Sequence, residues 1–596
     1  MVVLSSFDTD LPVIDGQTGQ MTRAAYDQEI LKAKAQIAHL LLMRNSMAPI
    51  SSLPNETLST IFLYYATVVE KSTSGRWTQL MLVCRRWRVI CLGDARLWSF
   101  VTPDRQGRFG RIPRPALPLE VRLRRSAEIP LTCRFDLSRA TAESLATVLS
   151  NHGQRIRTLS VTGATNRLQT AFQGITDLPS LVDLNIAWNG HSMRERHWVI
   201  PAEFVEANAP HLQSISLHDV EFFSWPSLND LTSLELCNYQ GQDGFRPPLE
   251  DVLSLLQRSP RLTNLKLHHC WQENGVPLVT FTNESILLPN LGMLDLSGGT
   301  SCLTVILRTL DIPASTSMHF CLSDAWLPSS LLPFLIPLRR TLARTGVPTL
   351  RSVCVEGGRD LFYAFSAHTT EDCPGTFQDP RSAHLSIQVQ PEHARHVEAM
   401  FAKLIRALPL EPSQTPQLTL TAHLRPNEIY ANPTRTWAAI FQLLPQTNQI
   451  VVDVDTGLPS MLEGLLTAMQ RGTRGISGRR RRRIIRTTVL QPSTIILQPP
   501  VYPASLAIHY QPQVTTAYEG LVGWLEKYKE TEGATGGNIK GETWDVIELK
   551  AARNKIEIPD ADLEPYKSRI KELTKKVGWV IQPEEGGVAT FRELSE

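Results

Sequence analysis

The sequence predicts an α/β protein in which a helical N-terminal module precedes a long array of alternating strands and helices. Three observations support this prediction: a tryptophan-rich helical pattern over residues 49–102, an apolar spacing that recurs seven times over residues 117–470, and an abrupt change of composition after residue 470. A chain of 596 residues exceeds what one hydrophobic core supports. We therefore expect several domains.

The composition is that of an ordinary globular protein, with 42% apolar and 20% charged residues. The formal net charge of +2 gives no indication of a strongly acidic or basic partner. Among the nine cysteines the closest pair, Cys84 and Cys91, lies seven residues apart, so neither a zinc-binding CxxC pair nor a disulfide framework is indicated. Reduced thiols in the cytoplasm or the nucleus fit this usage best.

The sequence gives no indication of a signal peptide or a membrane segment. Residues 1–12 lack the basic start of a signal peptide. The most apolar run, residues 331–338, is short and is interrupted by two prolines. We therefore expect no membrane partner.

Residues 22–45, within an N-terminal segment 1–48, follow a helical spacing. Apolar side chains recur on alternating four- and three-residue steps at Tyr26, Ile30, Ala33, Ile37 and Leu40. This is the spacing of a narrow coiled-coil seam, but two heptads are marginal on their own. Two interpretations stay open: the helix packs against the module that follows it, or it forms a homodimer.

Residues 49–102 predict two amphipathic helices. Apolar residues at 58, 61, 62 and 65 follow Pro54, whose missing N–H costs nothing in the first turn of a helix. The spacing recurs at 80, 83, 84, 87 and 91, which predicts a second apolar stripe, and the polar stretch 67–76 between them predicts a loop. Three of the twelve tryptophans fall within 22 residues here. They form either the core of a small helical module or a surface buried against a partner.

The motif Leu-Pro-x-Glu-x-Leu-x-x-Ile-Phe, followed by Val-Cys-Arg-x-Trp and a closing Leu-Trp, is similar to the F-box. The sequence around and after the closing pair resembles the F-box-like proteins of fungi. An F-box docks its protein onto a Skp-family adaptor of cullin-RING ubiquitin ligases, so the resemblance implies those partners. It assigns adaptor contact to nine positions: Leu53, Pro54, Ile61, Phe62, Val83, Cys84, Trp87, Leu97 and Trp98.

A pattern apolar-x-x-apolar-x-apolar recurs beyond residue 117, after a strand predicted at 129–135. Its seven registers are Ile156/Leu159/Val161, Leu181/Leu184/Ile186, Leu212/Ile215/Leu217, Leu231/Leu234/Leu236, Leu262/Leu265/Leu267, Leu291/Leu294/Leu296 and Leu350/Val353/Val355. A degenerate unit at 318–322 fills the one long gap, and weaker strands are predicted at 385–389, 418–420 and 450–454. Helical patterns lie between the strands, at 249–257, 303–310, 397–408, 437–444 and 461–469.

One strand and one helix every 20 to 30 residues or so is typical of a leucine-rich repeat, in which each unit buries its apolar faces only against its neighbours. We therefore predict an irregular leucine-rich-repeat solenoid over residues 117–470, with the strands lining the concave side. An ordinary α/β domain with leucine-rich strands is the alternative, because the unit lengths are irregular.

The chain changes character after residue 470. Residues 471–513 contain no acidic residue but carry eight arginines and then five prolines, which predicts a poorly packed linker. The candidate nuclear-localisation signal within it consists of Arg479, Arg480, Arg481, Arg482 and Arg483.

Residues 514–596 predict a small α+β domain. Helices are expected at 517–530, 543–555 and 562–577, with a hairpin between 579–581 and 588–591, in a winged-helix-like order. Its 12 basic against 16 acidic residues argue against nucleic acid as a partner.

The sequence carries no motif for catalysis, a cofactor or a metal. Walker-type and Gly-x-Ser-x-Gly motifs are missing, and the adjacent His268 and His269 point to opposite faces of a strand. We expect the protein not to be an enzyme. Two functions stay open: a substrate-recognition adaptor of an SCF-type cullin-RING ubiquitin ligase, whose repeats bind a target protein, or a nuclear nucleic-acid-associated scaffold that uses the arginine run and the C-terminal domain.

Overall fold

The computed structural model describes the chain from residue 23 to residue 593 with gaps. The described residues are 23–70, 76–102, 118–138, 140–173, 178–190, 198–200, 209–222, 228–238, 246–271, 285–325, 327–344, 348, 350–357, 363–369, 383–389, 397–408, 418–423, 433–444, 447–453, 461–465, 467–468, 494–498, 521–523, 526–527, 546–550, 577–581 and 590–593. The arginine run 479–483 and most of the predicted linker lie outside them.

The chain divides into two compact units: residues 1–141 with 155–157, and residues 142–154 with 158–596. The helices of the first unit are Arg23–Ser46 (α1), Asn55–Glu70 (α2), Arg85–Gly93 (α3), Ala95–Trp98 (α4) and Leu119–Arg125 (α5), with 3-10 turns at Pro49–Ser52 and Arg76–Leu82. Its strands Phe100–Val101 (β1) and Leu131–Asp136 (β2) pair in parallel. The strand predicted at 129–135 is therefore present, and its residues belong to the first unit.

Helix α1 leaves its apolar seam open to solvent. Ile30, Ile37 and Leu40 are exposed by 49%, 56% and 60% respectively. A helix that packed against the following module would bury these side chains. The interpretation of α1 as a brace for that module is therefore wrong.

The second unit contains a large mixed sheet with helices between its strands. Its strands are Ile156–Gly163 (β3), Asp183–Trp188 (β4), Val199–Ile200 (β5), Ser214–His218 (β6), Glu221–Phe222 (β7), Ser233–Cys237 (β8), Asn264–His268 (β9), Ile286–Leu287 (β10), Met293–Gly298 (β11), Leu310–Asp311 (β12), Ser317–Leu322 (β13), Ser352–Gly357 (β14), Tyr363–His368 (β15), Leu385–Val389 (β16), Leu418–His423 (β17), Thr447–Asp453 (β18), Thr494–Gln498 (β19), Val546–Lys550 (β20), Val577–Ile581 (β21) and Thr590–Glu593 (β22). The first two residues of β3 are grouped with the first unit.

Among the described helices of this unit, those at 249–257, 300–309, 397–407 and 433–443 lie close to predicted positions, whereas those at 142–152, 165–172 and 332–342 were not predicted. The helices are Ala142–His152 (α6), Thr165–Phe172 (α7), Leu249–Gln257 (α8), Thr300–Thr309 (α9), Leu332–Leu342 (α10), Val397–Ala407 (α11) and Pro433–Leu443 (α12), with helical residues also at 461–465 and 467–468. Among the described parts of the chain, no helix combines the length and the apolar character needed to cross a bilayer.

The repeat registers form continuous apolar rows. Strands β3, β4, β6, β8, β9, β11 and β13 pair in that order, all in parallel. One row, in which every side chain is almost fully buried, consists of Leu159, Leu184, Ile215, Leu234, Leu265, Leu294 and Met318. Because side chains alternate between the two faces of a strand, the residues between the rows form a polar opposite face. The predicted strand positions of the first six registers are confirmed.

The seventh register departs from the series. The strand beside β13 is β16, not β14. Strand β15, which the sequence did not predict, runs antiparallel between β16 and β14, and β14 then pairs in parallel with β17. This antiparallel strand reverses the order in which the three strands enter the sheet, so the seventh register contributes the strand Ser352–Gly357 but not the next unit of the array.

The C-terminal strands share the sheet of the repeats. Strands β17 to β21 pair in parallel and in order. β21 and β22 form the predicted hairpin. The helix predicted over 543–555 is wrong at 546–550, which form β20, and the predicted linker contains the paired strand β19. Backbone pairing on both sides overrides the local helical spacing here. A separate winged-helix-like domain is thus not confirmed.

We predict that Leu265→Ala destabilises the second unit by about 2 to 5 kcal/mol, because Leu265 is fully buried between Leu234 and Leu294 in the row. Denaturant unfolding of the full chain measures this loss. The control is Leu287→Ala in β10, where the side chain is exposed and the expected change is within about 0.5 kcal/mol. Equal losses for the two variants would show that Leu265 is not part of a packed core.

We also predict that acid destabilises this unit through His384. Burial lowers the pKa of the His384 imidazole. In the unfolded chain the ring gains a proton below about pH 6.5, whereas the folded chain keeps it neutral, so stability falls as the pH drops below that value. His384→Gln should therefore reduce the fall in melting temperature between about pH 7.5 and about pH 5.5. His39→Gln, on the exposed surface of α1, should follow the wild type. An unchanged pH dependence in His384→Gln would contradict the assignment.

Candidate functional site

The described residues between 53 and 98 pack around an aromatic core. Leu58, Phe62, Trp77, Leu97 and Trp98 are fully buried together. The rings of Trp77 and Trp98 meet edge to face with centroids 5.1 Å apart, and the Phe62 and Trp87 rings lie 4.7 Å apart. Such aromatic contacts add to the stabilisation that burial alone supplies. This region therefore holds a compact core of its own.

Helix α2 has two apolar faces. Its inward face packs Leu58, Phe62 and Ala66 into this core. Its outward face carries a stripe of large apolar side chains at i, i+3, i+4 and i+7, which are Ile61, Tyr64, Tyr65 and Val68. The sequence spacing predicts that positions 58, 61, 62 and 65 share one face. The structure separates them, because Leu58 and Phe62 are buried whereas Ile61 is exposed by 42% and Tyr65 by 38%. We call Ile61, Tyr64, Tyr65 and Val68 the outward stripe.

The second predicted helix is interrupted at Cys84. A 3-10 turn ends at Leu82, Cys84 is extended with φ −156° and ψ 169°, and α3 then begins at Arg85. The Cys84 sulfur accepts a hydrogen bond from the Trp87 backbone N–H at 3.5 Å, which caps the new helix. The break turns Leu82 and Val83 outward, and both side chains are exposed. The predicted continuous stripe from 80 to 91 is therefore wrong.

Arg86 joins the start of α3 to the start of α2. Its guanidinium donates hydrogen bonds to the carbonyl oxygens of Ser51 and Leu53, at 2.6 and 2.5 Å, and to Oδ1 of Asn55 at 2.9 Å. A planar guanidinium with several donors is suited to such a fork of acceptors. Arg86 therefore holds the segment that contains Leu53 and Pro54 in place.

Asp94 stabilises the C-terminal part of the module, where α4 begins. It caps α4 by accepting from the Arg96 backbone N–H, and it also accepts from the Arg96 side chain at 2.8 Å and from the Ser59 hydroxyl. Burial opposes ionisation of Asp94, but these hydrogen bonds outweigh it and lower the pKa of the carboxyl group. Since Ser59 lies on α2, this interaction fixes the closing segment against α2.

Trp98 contacts Trp77, the end of α3 and helix α5. Its indole N–H donates to the backbone oxygen of Cys91 at 2.8 Å. The Arg125 guanidinium lies 5.1 Å from the ring centroid and donates to the Leu92 oxygen at 3.3 Å. A cation over an indole face is favourable, and more so when it is shielded from water. Helix α5 is thereby fastened to the core.

The nine positions assigned by resemblance fall into three groups. Pro54, Ile61 and Val83 are exposed. Leu53, Cys84 and Trp87 are half-buried, while Phe62, Leu97 and Trp98 are fully buried. A fully buried side chain presents no surface to a partner. Phe62, Leu97 and Trp98 therefore belong to the core of the module and not to a surface that a partner contacts.

Sequence reasoning missed four polar residues that shape this region: Ser59, Arg86, Asp94 and Arg125. Asp94 alone had a recognisable signal, because aspartate is favoured at the residue that caps a helix. The other three act through contacts with residues far away in the sequence, which no local pattern indicates.

The polar face of the sheet in the second unit carries two close contacts between polar side chains, of which one is an ion pair. Lys266 Nζ lies 2.6 Å from Oε1 of Glu235, and His268 Nε2 lies 2.7 Å from Oδ1 of Asp295. Burial opposes the charge on both members of the first pair, but their mutual hydrogen bond outweighs it, lowering the pKa of Glu235 and raising the pKa of Lys266. The face therefore presents fixed charges at the centre of the array.

Metal binding finds little support among the described residues. His218, Glu235 and Cys237 bring three ligand atoms within 4.8 Å of one another, a trio from two neighbouring strands that sequence reasoning missed. The Lys266 ammonium already occupies the cation position beside Glu235. His268 contacts Asp295, and His269, which follows the end of the strand with φ 51°, contacts Ser297 two residues further along the same face of β11. The expectation that the two histidines point to opposite faces of a strand is therefore wrong.

We predict that Arg86→Ala loosens α2 and α3 by about 1 to 3 kcal/mol, because two partly buried carbonyl groups lose a charged donor. Hydrogen–deuterium exchange of the full chain measures the local opening of these helices. The neighbouring Arg85→Ala provides the control, since Arg85 is exposed. Equal protection in the two variants would show that the Arg86 contacts do not stabilise the module.

Comparison with known proteins supports the identity of this module. A search of curated proteins finds no match to the chain. A family model described as F-box-like matches residues 50–103, the stretch that contains the aromatic core and the outward stripe. The match covers a small part of the 596 residues, but within it the chain carries an F-box-like domain.

Proposed function

We propose that this protein is a substrate-recognition subunit of an SCF-type cullin-RING ubiquitin ligase. The observation that carries the proposal is the outward stripe of α2 within the F-box-like domain. F-box domains typically bind Skp-family adaptors. Four large apolar side chains on the solvent face of one helix are what such an interface requires, because interface energy concentrates in a few large side chains.

The adaptor-docking surface comprises the outward stripe together with Pro54, Leu82 and Val83. All of these side chains are exposed. Half-buried Leu53, Cys84 and Trp87 border the surface, while Phe62, Leu97 and Trp98 act beneath it by holding α2 in position. Removing one of the latter three would abolish docking through loss of the fold and not through loss of a contact.

The target-binding surface is the polar face of the repeat sheet, which we interpret as an irregular leucine-rich-repeat solenoid. The in-register apolar rows support this interpretation, and the reversed order of β14 to β16 accounts for its irregularity. Glu235, Lys266 and Asp295 occupy the same register on three adjacent strands. Paired, partly buried charges of this kind confer specificity for a protein partner more than raw affinity.

The protein would act by recruitment and not by chemistry. Holding a target near a ubiquitin-conjugating enzyme raises the effective concentration of the reacting groups. This role requires neither a catalytic residue nor a cofactor of the receptor itself. A cytoplasmic or nuclear location would suit such a complex.

We predict that Ile61→Lys abolishes co-purification of a Skp-family adaptor with the full chain. A charge placed at the interface centre costs about 2 to 4 kcal/mol, which is roughly a 30- to 1000-fold loss of affinity. Because Ile61 is exposed, the melting temperature should not change. The readout is the stoichiometry of adaptor in an affinity purification from cells treated with a proteasome inhibitor.

The matched control is Leu31→Lys, an exposed aliphatic residue on α1 outside the F-box-like match. It should retain the adaptor. Adaptor binding that survives Ile61→Lys would show that the outward stripe is not the docking surface. Salt-sensitive RNA or DNA in place of the adaptor would instead favour a nucleic-acid-associated scaffold.

A further inference from the structure

Helix α1 presents a second apolar surface that lies outside the F-box-like match. Its seam assigns Ile30 and Ile37 to the a positions of a heptad and Ala33 and Leu40 to the d positions. All four are exposed along this helix of 24 residues. Among the described residues nothing buries the seam. It is a surface of this chain that the adaptor-docking proposal does not use.

The residue types on the seam favour one kind of partner. β-branched residues at a combined with leucine at d favour parallel two-stranded coiled coils. Ile30, Ile37 and Leu40 follow this preference. Leu31, which lies at a b position, does not contribute to the seam although it is exposed. A second copy of α1 matches the seam by its shape and by its register.

The charges beside the seam specify the orientation. Glu29 lies at a g position and Lys34 at the e position of the next heptad. In a parallel pair, a g residue of one helix faces the following e residue of the other, so Glu29 of each chain meets Lys34 of its partner copy. An antiparallel pair brings g residues to g residues and loses both attractions.

Glu29 is available for this exchange. In the single chain its carboxylate contacts Lys32 at 2.7 Å, and both side chains are more than half exposed. Exposed ion pairs of this kind contribute little stability, so Glu29 can exchange Lys32 for a partner across an interface at small cost. Arg44, at the next a position, ends the apolar seam, which limits it to about two heptads and makes the association reversible.

We propose that α1 is a self-association helix, and that two copies of this protein pair through parallel α1 helices. The interface is the seam from Tyr26 to Leu40 with reciprocal contacts between Glu29 and Lys34. The proposal is independent of adaptor docking, because the seam precedes residues 50–103 and none of its residues lies on the outward stripe.

Analytical ultracentrifugation of the full chain tests the association. The wild type should shift from the mass of one chain toward twice that mass as its concentration rises to about 100 μM. The double variant Ile30→Asp with Ile37→Asp should remain a monomer. The control Leu31→Asp adds the same type of charge off the seam and should associate as the wild type does. Melting temperatures should match, since all three positions are exposed.

Two further variants test the orientation. Ile30→Cys should form a disulfide-linked dimer on oxidation, because equal a positions face each other only in a parallel pair, whereas Leu31→Cys should give no more crosslink than the wild type. Glu29→Lys should weaken the dimer, and adding Lys34→Glu should restore it. A monomer at every concentration, or a dimer that survives the double Asp variant, would overturn the proposal. A dimer without the Ile30→Cys crosslink would overturn its parallel orientation.

Discussion

Burial of Trp98 is the constraint on which the F-box-like domain depends. Its indole N–H donates a hydrogen bond to the Cys91 carbonyl oxygen, and its ring meets the Trp77 ring edge to face. The Arg125 guanidinium on α5 lies 5.1 Å from the centroid of the same ring. A buried indole needs a partner for its N–H, so the closing Leu-Trp fixes the end of α3 as well as filling the core. Leu58, Phe62 and Ala66 already fill the face of α2 that packs into this core, so the outward stripe does not pack into it. The apolar character of that stripe is then not explained by packing within this core, which supports the proposal that it docks an adaptor.

Local spacing predicted the repeat strands because their burial is local. Each strand needs apolar residues two positions apart to fill one face, and Leu234, Leu265 and Leu294 meet that need within their own registers. The order of strands is a different matter. β16 lies beside β13 because β15 runs antiparallel, and this pairing depends on residues far apart in the sequence. For the same reason a helical spacing over 543–555 gave the wrong element at β20, where two neighbouring strands supply the hydrogen bonds.

At the candidate site the sequence identified the right region but could not separate surface from core. Leu58 and Ile61 share a helical spacing, yet the first is buried and the second exposed. Helical periodicity cannot distinguish them, since α2 is apolar on two faces and the spacing does not show which face is buried. The motif likewise groups the buried Phe62 with the exposed Ile61; under the docking proposal the first acts through the fold and the second through contact. The contacts of Arg86 with Ser51 and Leu53, and the hydrogen bond between Ser59 and Asp94, were not predicted because the partners lie 33 to 35 residues apart in the sequence.

The two exposed apolar surfaces of the first unit support each other functionally if both proposals hold. A ligase receptor that presents one adaptor-docking surface binds one adaptor. Pairing through α1 gives two docking surfaces and two repeat sheets in one assembly, and a target that carries two recognition sites then binds the second one intramolecularly. The gain is largest for targets whose individual sites are weak, because effective concentration multiplies the affinity without a new contact. A short, reversible seam suits this role: it raises avidity at high receptor concentration and leaves single receptors able to dock at low concentration.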